Sequence, residues 1–337
     1  MTTTFADLTT MRIGGPVGQL FEPESTLHAL ELLREHAADE TPFLVMGGGS
    51  NLVVGDIGFD GAVIRMVSSE LDIDGDLVTA AAGLEWDYLV RTTLSEGLSG
   101  LEALSGIPGT VGGTPVQNVG AYGALTSDVL DSLTVYDRET GVAERWTPDR
   151  CGFGPHRQSI FKRRNRWVVL DVTYRLRRST ESKPIKYAAL AEALSVDIGG
   201  TAAAADVREA VLSIRRKRGM VLDPEDHDTW SVGSFFLNPV LESVPPRAAE
   251  CPTYHDGEGV KLPAAWLIHN AGFAPGYGLD WGNGTVALSS KHALAVTNRG
   301  GATTSDVMKF AAHIRDGVEA RFDVRLSPEC DLVNCSF

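Results

Sequence analysis

The sequence predicts an α+β fold of two or three domains. Strand-like and helix-like patterns are mixed along it without a regular βαβα alternation, which disfavours a doubly wound parallel sheet. Two glycine-rich islands, at 47–51 and 106–123, interrupt an otherwise apolar-patterned chain. At 337 residues and 43% hydrophobic composition, it is long enough to bury more than one core.

The elements follow in order. Gln19, Leu20 and Phe21 read as the end of a strand, and Ser25 caps a helix carrying Leu27, Leu30 and Leu33. Residues 43–46 and 61–66 read as short buried strands. Together these make a small βαβ-type unit with its glycine turn at a strand's carboxyl end. A strand from Leu77 and a helix over 84–96 precede the long glycine run. Residues 133–137 read as a strand turning at Glu139-Thr140-Gly141, and Thr147 followed by Pro148 marks a helix start. The β-branched and aromatic content of 167–176 predicts a long strand, and Asp206 caps a helix running to about Lys217. Beyond Gly219, 234–237 is strand-like and 264–269 helical. Thr304 or Ser305 then caps a helix with Val307, Phe310, Ala311, Ile314 and Val318 on one face. Residues 322–326 return as a strand.

A net charge of −14 opposes general binding to nucleic acid or anionic membranes, so neither partner is expected. Basic residues nevertheless cluster, at Lys162, Arg163, Arg164 and Arg166, at Arg175, Arg177 and Arg178, and from Arg215 to Arg218. Any one cluster reads as a solvated face. Three in an acidic chain favour at least one that faces a phosphate. No export signal is visible, and no apolar run approaches the roughly 20 residues that span a bilayer. The four cysteines form no CxxC pair and have no histidine at ligand spacing, so no metal site is expected and a reduced cytoplasmic protein is.

The islands carry the chemistry. In Gly47-Gly48-Gly49-Ser50-Asn51, just before Leu52, successive backbone N–H groups can form an anion nest suited to a pyrophosphate. The same residues also suit a plain tight turn. No GxGxxG is present, so a Rossmann reading is poor. The second island has six glycines and neither lysine nor arginine. Its Pro108, Gly109, Gly112, Gly113, Gln117, Asn118, Gly120 and Gly123 let backbone come close to something flat or anionic. Two such loops suggest a large cofactor with a phosphate end and a planar end.

GGGSN after a strand, PGTVGGTPVQNVGAYG, the stretch 151–162, GSFFLNP and a late SPE occur in one order over nearly the whole chain. In that order they resemble the UDP-N-acetylenolpyruvoylglucosamine reductase family, flavin enzymes of peptidoglycan precursor synthesis. The resemblance implies an FAD-binding PCMH-type two-domain flavin fold plus a third α+β substrate-binding domain. Residues 1–66 and 67–212 (with 319–337) would hold the flavin, and 213–318 the substrate. It implies non-covalent FAD across the two islands, NADPH as co-substrate, and a UDP-sugar enol ether as substrate.

Residue by residue, Ser234 matches the family's proton donor, and Arg157 with Glu329 its charged pair at the reacting centre. The plain alternatives are a strand serine bonded to backbone, a surface cation and a solvated carboxylate. Tyr187 matches a tyrosine that covers the substrate diphosphate, or is a core aromatic. Asn238 matches a diphosphate or uridine contact, or is a turn residue before Pro239. Arg215 and Arg218 roughly fit an arginine and a cation preceding Asp223-Pro224, or decorate a helix end. The chain departs from the family pattern at His156, where a tyrosine is usual, with Pro155 and one extra residue beside it. Leu237 stands where a lysine is common. These departures keep two other readings open: a paralogous flavin reductase acting on another unsaturated substrate, and a flavin-binding protein without turnover.

Overall fold

The computed structural model describes residues 2–38, 42–154, 159–162, 166–257 and 259–337. The chain forms two compact units, one of Gln19–Gly48 with Gly61–Arg216, the other of Met1–Gly18, Gly49–Asp60 and Lys217–Phe337.

In the unit of 19–48 and 61–216, Ser25 accepts the His28 N–H at 3.1 Å and starts the helix Thr26–Ala38. Its buried stripe is Ala29, Leu32 and Leu33, whereas Leu27 is 65% exposed. Of the expected Leu27, Leu30 and Leu33, Leu33 is wholly buried and Leu30 packs against the core, so only Leu27 falls off the buried face, which follows i, i+3, i+4 from Ala29. The strands Phe43–Met46 and Phe59–Arg65 pair in parallel, and Val17–Phe21 completes their three-stranded sheet.

A five-stranded antiparallel sheet follows, in the order Val142–Trp146, Leu130–Asp137, Trp167–Arg175, Leu77–Ala81, Leu71–Asp74. The helix Trp86–Ser95 buries Trp86, Leu89, Val90 and Thr93, one face at helical spacing, and the Glu85 carboxylate caps it through the Asp87 and Tyr88 N–H groups. Beneath it Tyr174 is fully buried and shares a 2.7 Å hydrogen bond with Thr114, and burial raises its phenol pKa. Thr147-Pro148 starts only a 3-10 turn, Pro148–Cys151, because Gly152 at φ +60° ends it at once. Asp206 lies inside the first turn of the helix Ala204–Lys217 rather than at its cap.

In the other unit the helix Thr304–Phe322 buries the expected Val307, Phe310, Ala311, Ile314 and Val318. Its cap is Thr303, in a reciprocal box with Asp306, one residue before the expected position. The Asp56 carboxylate also accepts the Thr304 and Ser305 N–H groups, at 2.7 and 2.8 Å, where the helix dipole favours an anion. Residues 322–326 do not form a strand. Phe322 ends the helix, Asp323 turns left-handed at φ +58°, and Asp331–Val333 instead pairs in parallel with Leu52–Val54. Residues 234–237 form no strand, with a single bridge from Phe236 to Pro328. The core joins Met11, Ile13 and Val53 to Phe235, Phe236, Leu267, Phe310, Phe322 and Leu326, among others. All four cysteines are free thiols. Among the described residues no helix is long and apolar enough to cross a membrane.

Candidate functional site

The two glycine islands meet within one unit. A Cβ on Gly47 would lie 2.2 Å from the Thr110 hydroxyl, and one on Gly48 would lie 3.0 Å from the Gly109 Cα. Backbone bonds fix the second island along residues 82–86: Trp86 N–H to Gly109 O, Val111 N–H to Leu84 O, and Gly112 N–H to Ala82 O. Gly112 has no room for a side chain, since its Cβ would lie 2.6 Å from that of Ala82, whereas Gly113 faces open space. The island therefore packs tightly on one side and is open on the other. Pro108 leads into Gly109, whose φ of +117° suits glycine alone.

Beyond it, the short helix Gly113–Val116 ends at Gln117 and Asn118. Asn118 is buried, turns left-handed, and accepts the Ser127 N–H at 3.1 Å. The Gln117 Oε1 atom is buried with no hydrogen-bond partner among the described residues. Gly120–Ala121 and Ala124–Leu125 then form a hairpin whose two turn residues are Tyr122 and Gly123. Both have positive φ, the mirror-image turn that hairpin twist favours.

The remaining residues of the first island belong to the other unit. The Gly49 carbonyl accepts the Thr10 N–H, and a Cβ on Gly49 would lie 2.3 Å from the Leu8 carbonyl. The N–H groups of Gly48, Gly49, Ser50 and Asn51 donate to no group among the described residues. Asn51 Nδ2 is buried without a partner among the described residues, and Leu52 opens the strand paired with Asp331–Val333. Buried polar groups are normally satisfied, so each orphan calls for a ligand atom. In the unit of 19–48 and 61–216, the glycine cradles and the acceptor at Gln117 suit a large flat group, and in the other unit the N–H groups of 49–51 suit a phosphate arm. They therefore fit FAD.

Sequence reasoning missed what braces the second island. Asp87 accepts the Gly106 N–H at 2.6 Å and holds both Arg208 guanidinium nitrogens at 2.7 Å. Burial pushes the Asp87 carboxyl up, but the Arg208 hydrogen bonds and charge, with the Gly106 N–H, outweigh it and hold the carboxyl below its usual range. Arg215 lies two helical turns beyond Arg208 on the helix Ala204–Lys217 and hydrogen-bonds the Tyr122 hydroxyl. Burial lowers its pKa, against the raising effect of Tyr122 and Asp87. One helix face thus holds both ends of the glycine run. Asp87 and Arg208 lie 121 residues apart, so no local motif could flag them. Ser68, whose hydroxyl is also buried with no partner among the described residues, was likewise missed.

The other unit brings two predicted catalytic residues onto adjacent segments. Glu329 donates its backbone N–H to the Phe235 carbonyl at 2.8 Å, and Leu237 donates to Ser327. Ser234 and Glu329 are both half-buried, and Phe235 and Phe236 are wholly buried behind them. No described group hydrogen-bonds the Ser234 hydroxyl. Phe235 N–H donates to Leu294 O, which anchors the segment from its other side. Asn238 is exposed, and its Oδ1 accepts the Ala264 N–H at the start of the helix Ala264–Asn270, so its amide orientation is set. Arg218 is exposed.

In the unit of 19–48 and 61–216, Tyr187 is 39% exposed and meets Tyr122 edge to face at 5.4 Å. His156 and Arg157 lie outside the described residues. Of the other basic residues, Arg166 pairs with Asp137 and Glu139, and Arg175 with Asp131 and Asp76. Arg177 and Arg178 donate to backbone carbonyls. These four follow the solvated-face reading.

Comparison with known proteins agrees with this geometry. The model of an FAD binding domain matches residues 18–146, and that of the UDP-N-acetylenolpyruvoylglucosamine reductase C-terminal domain matches 223–333. A UDP-N-acetylenolpyruvoylglucosamine reductase of Thermobifida fusca is 48% identical over 98% of both chains. One of Nocardia farcinica is 48% identical over 96% of this chain and 87% of its own. The crystal structure of the Thermus caldophilus reductase superposes with a TM-score of 0.67 at 23% identity, covering 99% of this chain and 98% of that one. That likeness speaks for the fold.

Proposed function

Since this chain belongs to the UDP-N-acetylenolpyruvoylglucosamine reductase family, we propose that it reduces the enolpyruvyl ether of UDP-N-acetylglucosamine to UDP-N-acetylmuramate. The observation that carries the proposal is the pairing of the Ser234 and Glu329 segments over two buried phenylalanines.

FAD, when bound, supplies the carrier that takes hydride from NADPH and gives it to the methylene carbon of the enol ether. Gly47 to Leu52 and Pro108, Gly109, Gly112, Gly113, Gln117, Asn118, Gly120 and Gly123 would hold it without a covalent bond. Their fit is supported by the cradles and orphaned atoms described above.

Hydride arriving at the methylene leaves charge at the neighbouring carbon that spreads into its carboxylate. The Arg157 guanidinium grips that carboxylate, and Glu329 hydrogen-bonds it, so the charge is stabilised as it forms. Ser234 donates its proton to the carbon. A hydroxyl is a weak acid in water and serves here only when held close and shielded. Burial of Phe235 and Phe236, and the absence of a competing acceptor among the described residues, support that role. Tyr187 and Asn238 bind the nucleotide diphosphate side of the substrate, His156 contacts it beside Arg157, and Arg218 supplies a further cation. Functionally, 1–66 and 67–212 with 319–337 serve the flavin and 213–318 the substrate. We place the reaction in the cytoplasm, where free thiols persist.

Anaerobic stopped-flow absorbance at the flavin band tests this. NADPH should bleach the band and the enolpyruvyl sugar nucleotide should restore it. Bleaching without restoration would transfer the protein to another unsaturated substrate, and protein that stays colourless with added FAD would end the flavin reading.

A further inference from the structure

Tyr122 adopts a left-handed backbone, with φ +50°, a conformation unfavourable for an aromatic residue. Such strain persists only where surrounding contacts over-determine it. Three do so here. The Tyr122 hydroxyl hydrogen-bonds Arg215. Its ring packs on the cluster of Ile185, Leu190, Ala191, Val207 and Val211. Tyr187 meets it edge to face, at 5.4 Å and 89°. The next residue, Gly123, lies so close to Lys186 that a Cβ there would be 3.1 Å from the lysine Cβ. One strained side chain therefore ties the hairpin that continues the Gln117-Asn118 turn to the segment that carries Tyr187.

We propose that Tyr122 is a positioning residue coupling the flavin-holding loop to the Tyr187 segment, so that sugar-nucleotide binding at Tyr187 depends on the Tyr122 ring. This rests on the functional reading above. A core aromatic alone would account for the packing, and the hairpin turn for the positive φ, but neither accounts for an arginine spent on its hydroxyl. If the coupling holds, losing either ring releases the same arrangement, and losing both adds nothing.

The test is a double-variant cycle on flavin-loaded protein, reading UDP-N-acetylmuramate binding by calorimetry and by the change in flavin absorbance. Tyr122→Leu and Tyr187→Leu should each weaken binding about tenfold, and the double variant also about tenfold, because both break one coupled contact. Effects that multiply to about a hundredfold, or wild-type binding by Tyr122→Leu, overturn the coupling. Tyr122→Phe keeps the ring and guards against a folding failure. It loses a hydrogen bond to a charged group, so binding should weaken about tenfold while flavin stays bound, and undiminished binding overturns the role of Arg215. Wild-type protein that fails to bind UDP-N-acetylmuramate overturns the functional reading and this inference together. A failed cycle with wild-type binding intact overturns the inference alone.

Discussion

Removing Arg208 should loosen the second glycine island before it disturbs anything else. Arg208 and Asp87 are 13% and 28% exposed, and two 2.7 Å hydrogen bonds join them. An exposed pair contributes about 0–1 kcal/mol. Breaking a fully buried one costs about 3–5 kcal/mol, mostly because the remaining charge is stranded. Asp87 keeps the Gly106 N–H and part of its hydration, so Arg208→Ala should cost about 2–3 kcal/mol, between those limits. For a unit of this size that corresponds to a fall in Tm of about 5–10 °C. The effect has a sign in pH. Asp87 has a folded pKa below its ordinary 3.8, so its contribution is fully present above that value and is lost as pH falls through the folded one. The gap between wild type and variant should therefore narrow below about pH 4. Thermal melts from neutral to acid pH, with flavin absorbance followed alongside, provide the assay. A variant within about 0.5 kcal/mol of wild type, or a gap that does not change with pH, refutes the brace.

Other perturbations are more direct. Ser234→Ala should lower turnover by roughly two to four orders of magnitude while NADPH still bleaches the flavin, and equal loss of both half-reactions would mark a structural serine. Gly48→Ala sets a methyl 3.0 Å from the Gly109 Cα, so it should release flavin on gel filtration, and a fully yellow variant would show that the cradle has slack. Asp56→Ala removes the carboxylate that caps Thr304 and Ser305 and should cost about 1–2 kcal/mol by denaturant melts, with an unchanged midpoint counting against it. Burial raises the pKa of Cys151 to about 12 and also lifts those of Cys251 and Cys330. A thiol reagent on folded protein should therefore label Cys335 first, and rapid loss of four thiols would contradict the packing.

Much of the fold was legible because its signals are local. Phe43 to Met46 is apolar and short, and Val307 to Val318 keeps helical spacing, so both elements formed where expected. Mistakes arose where a distant partner decides. Leu27 looked like part of a stripe, but the sheet facing Ala29, Leu32 and Leu33 chose another face. Residues 322–326 carry strand-like residues, yet Asp323 turns left-handed and no strand edge is offered to them. Residues 234–237 lie against 327–329 through single bonds, too few to make a ladder. In the site, glycines and orphaned amides could be read from composition and motif. Asp87 with Arg208, and Tyr122 with Arg215, could not, because each contact needs a helix about a hundred residues away to arrive at a given angle.

The Asn298 amide donates to the Met11 and Arg12 carbonyls at 3.0 and 3.1 Å, across 287 and 286 residues of chain. On the ribosome, the opening segment must therefore wait for its mate, roughly 15–60 s at ordinary elongation rates. Meanwhile Met11, Ile13 and Val53, wholly buried in the finished molecule, have no core to enter. The unit of Gln19–Gly48 and Gly61–Arg216 has all its own cluster-mates in hand well before that. Nascent-chain stalling just short of Asn298 should thus yield a chain whose middle resists protease while its leading end stays cleavable and open to chaperones.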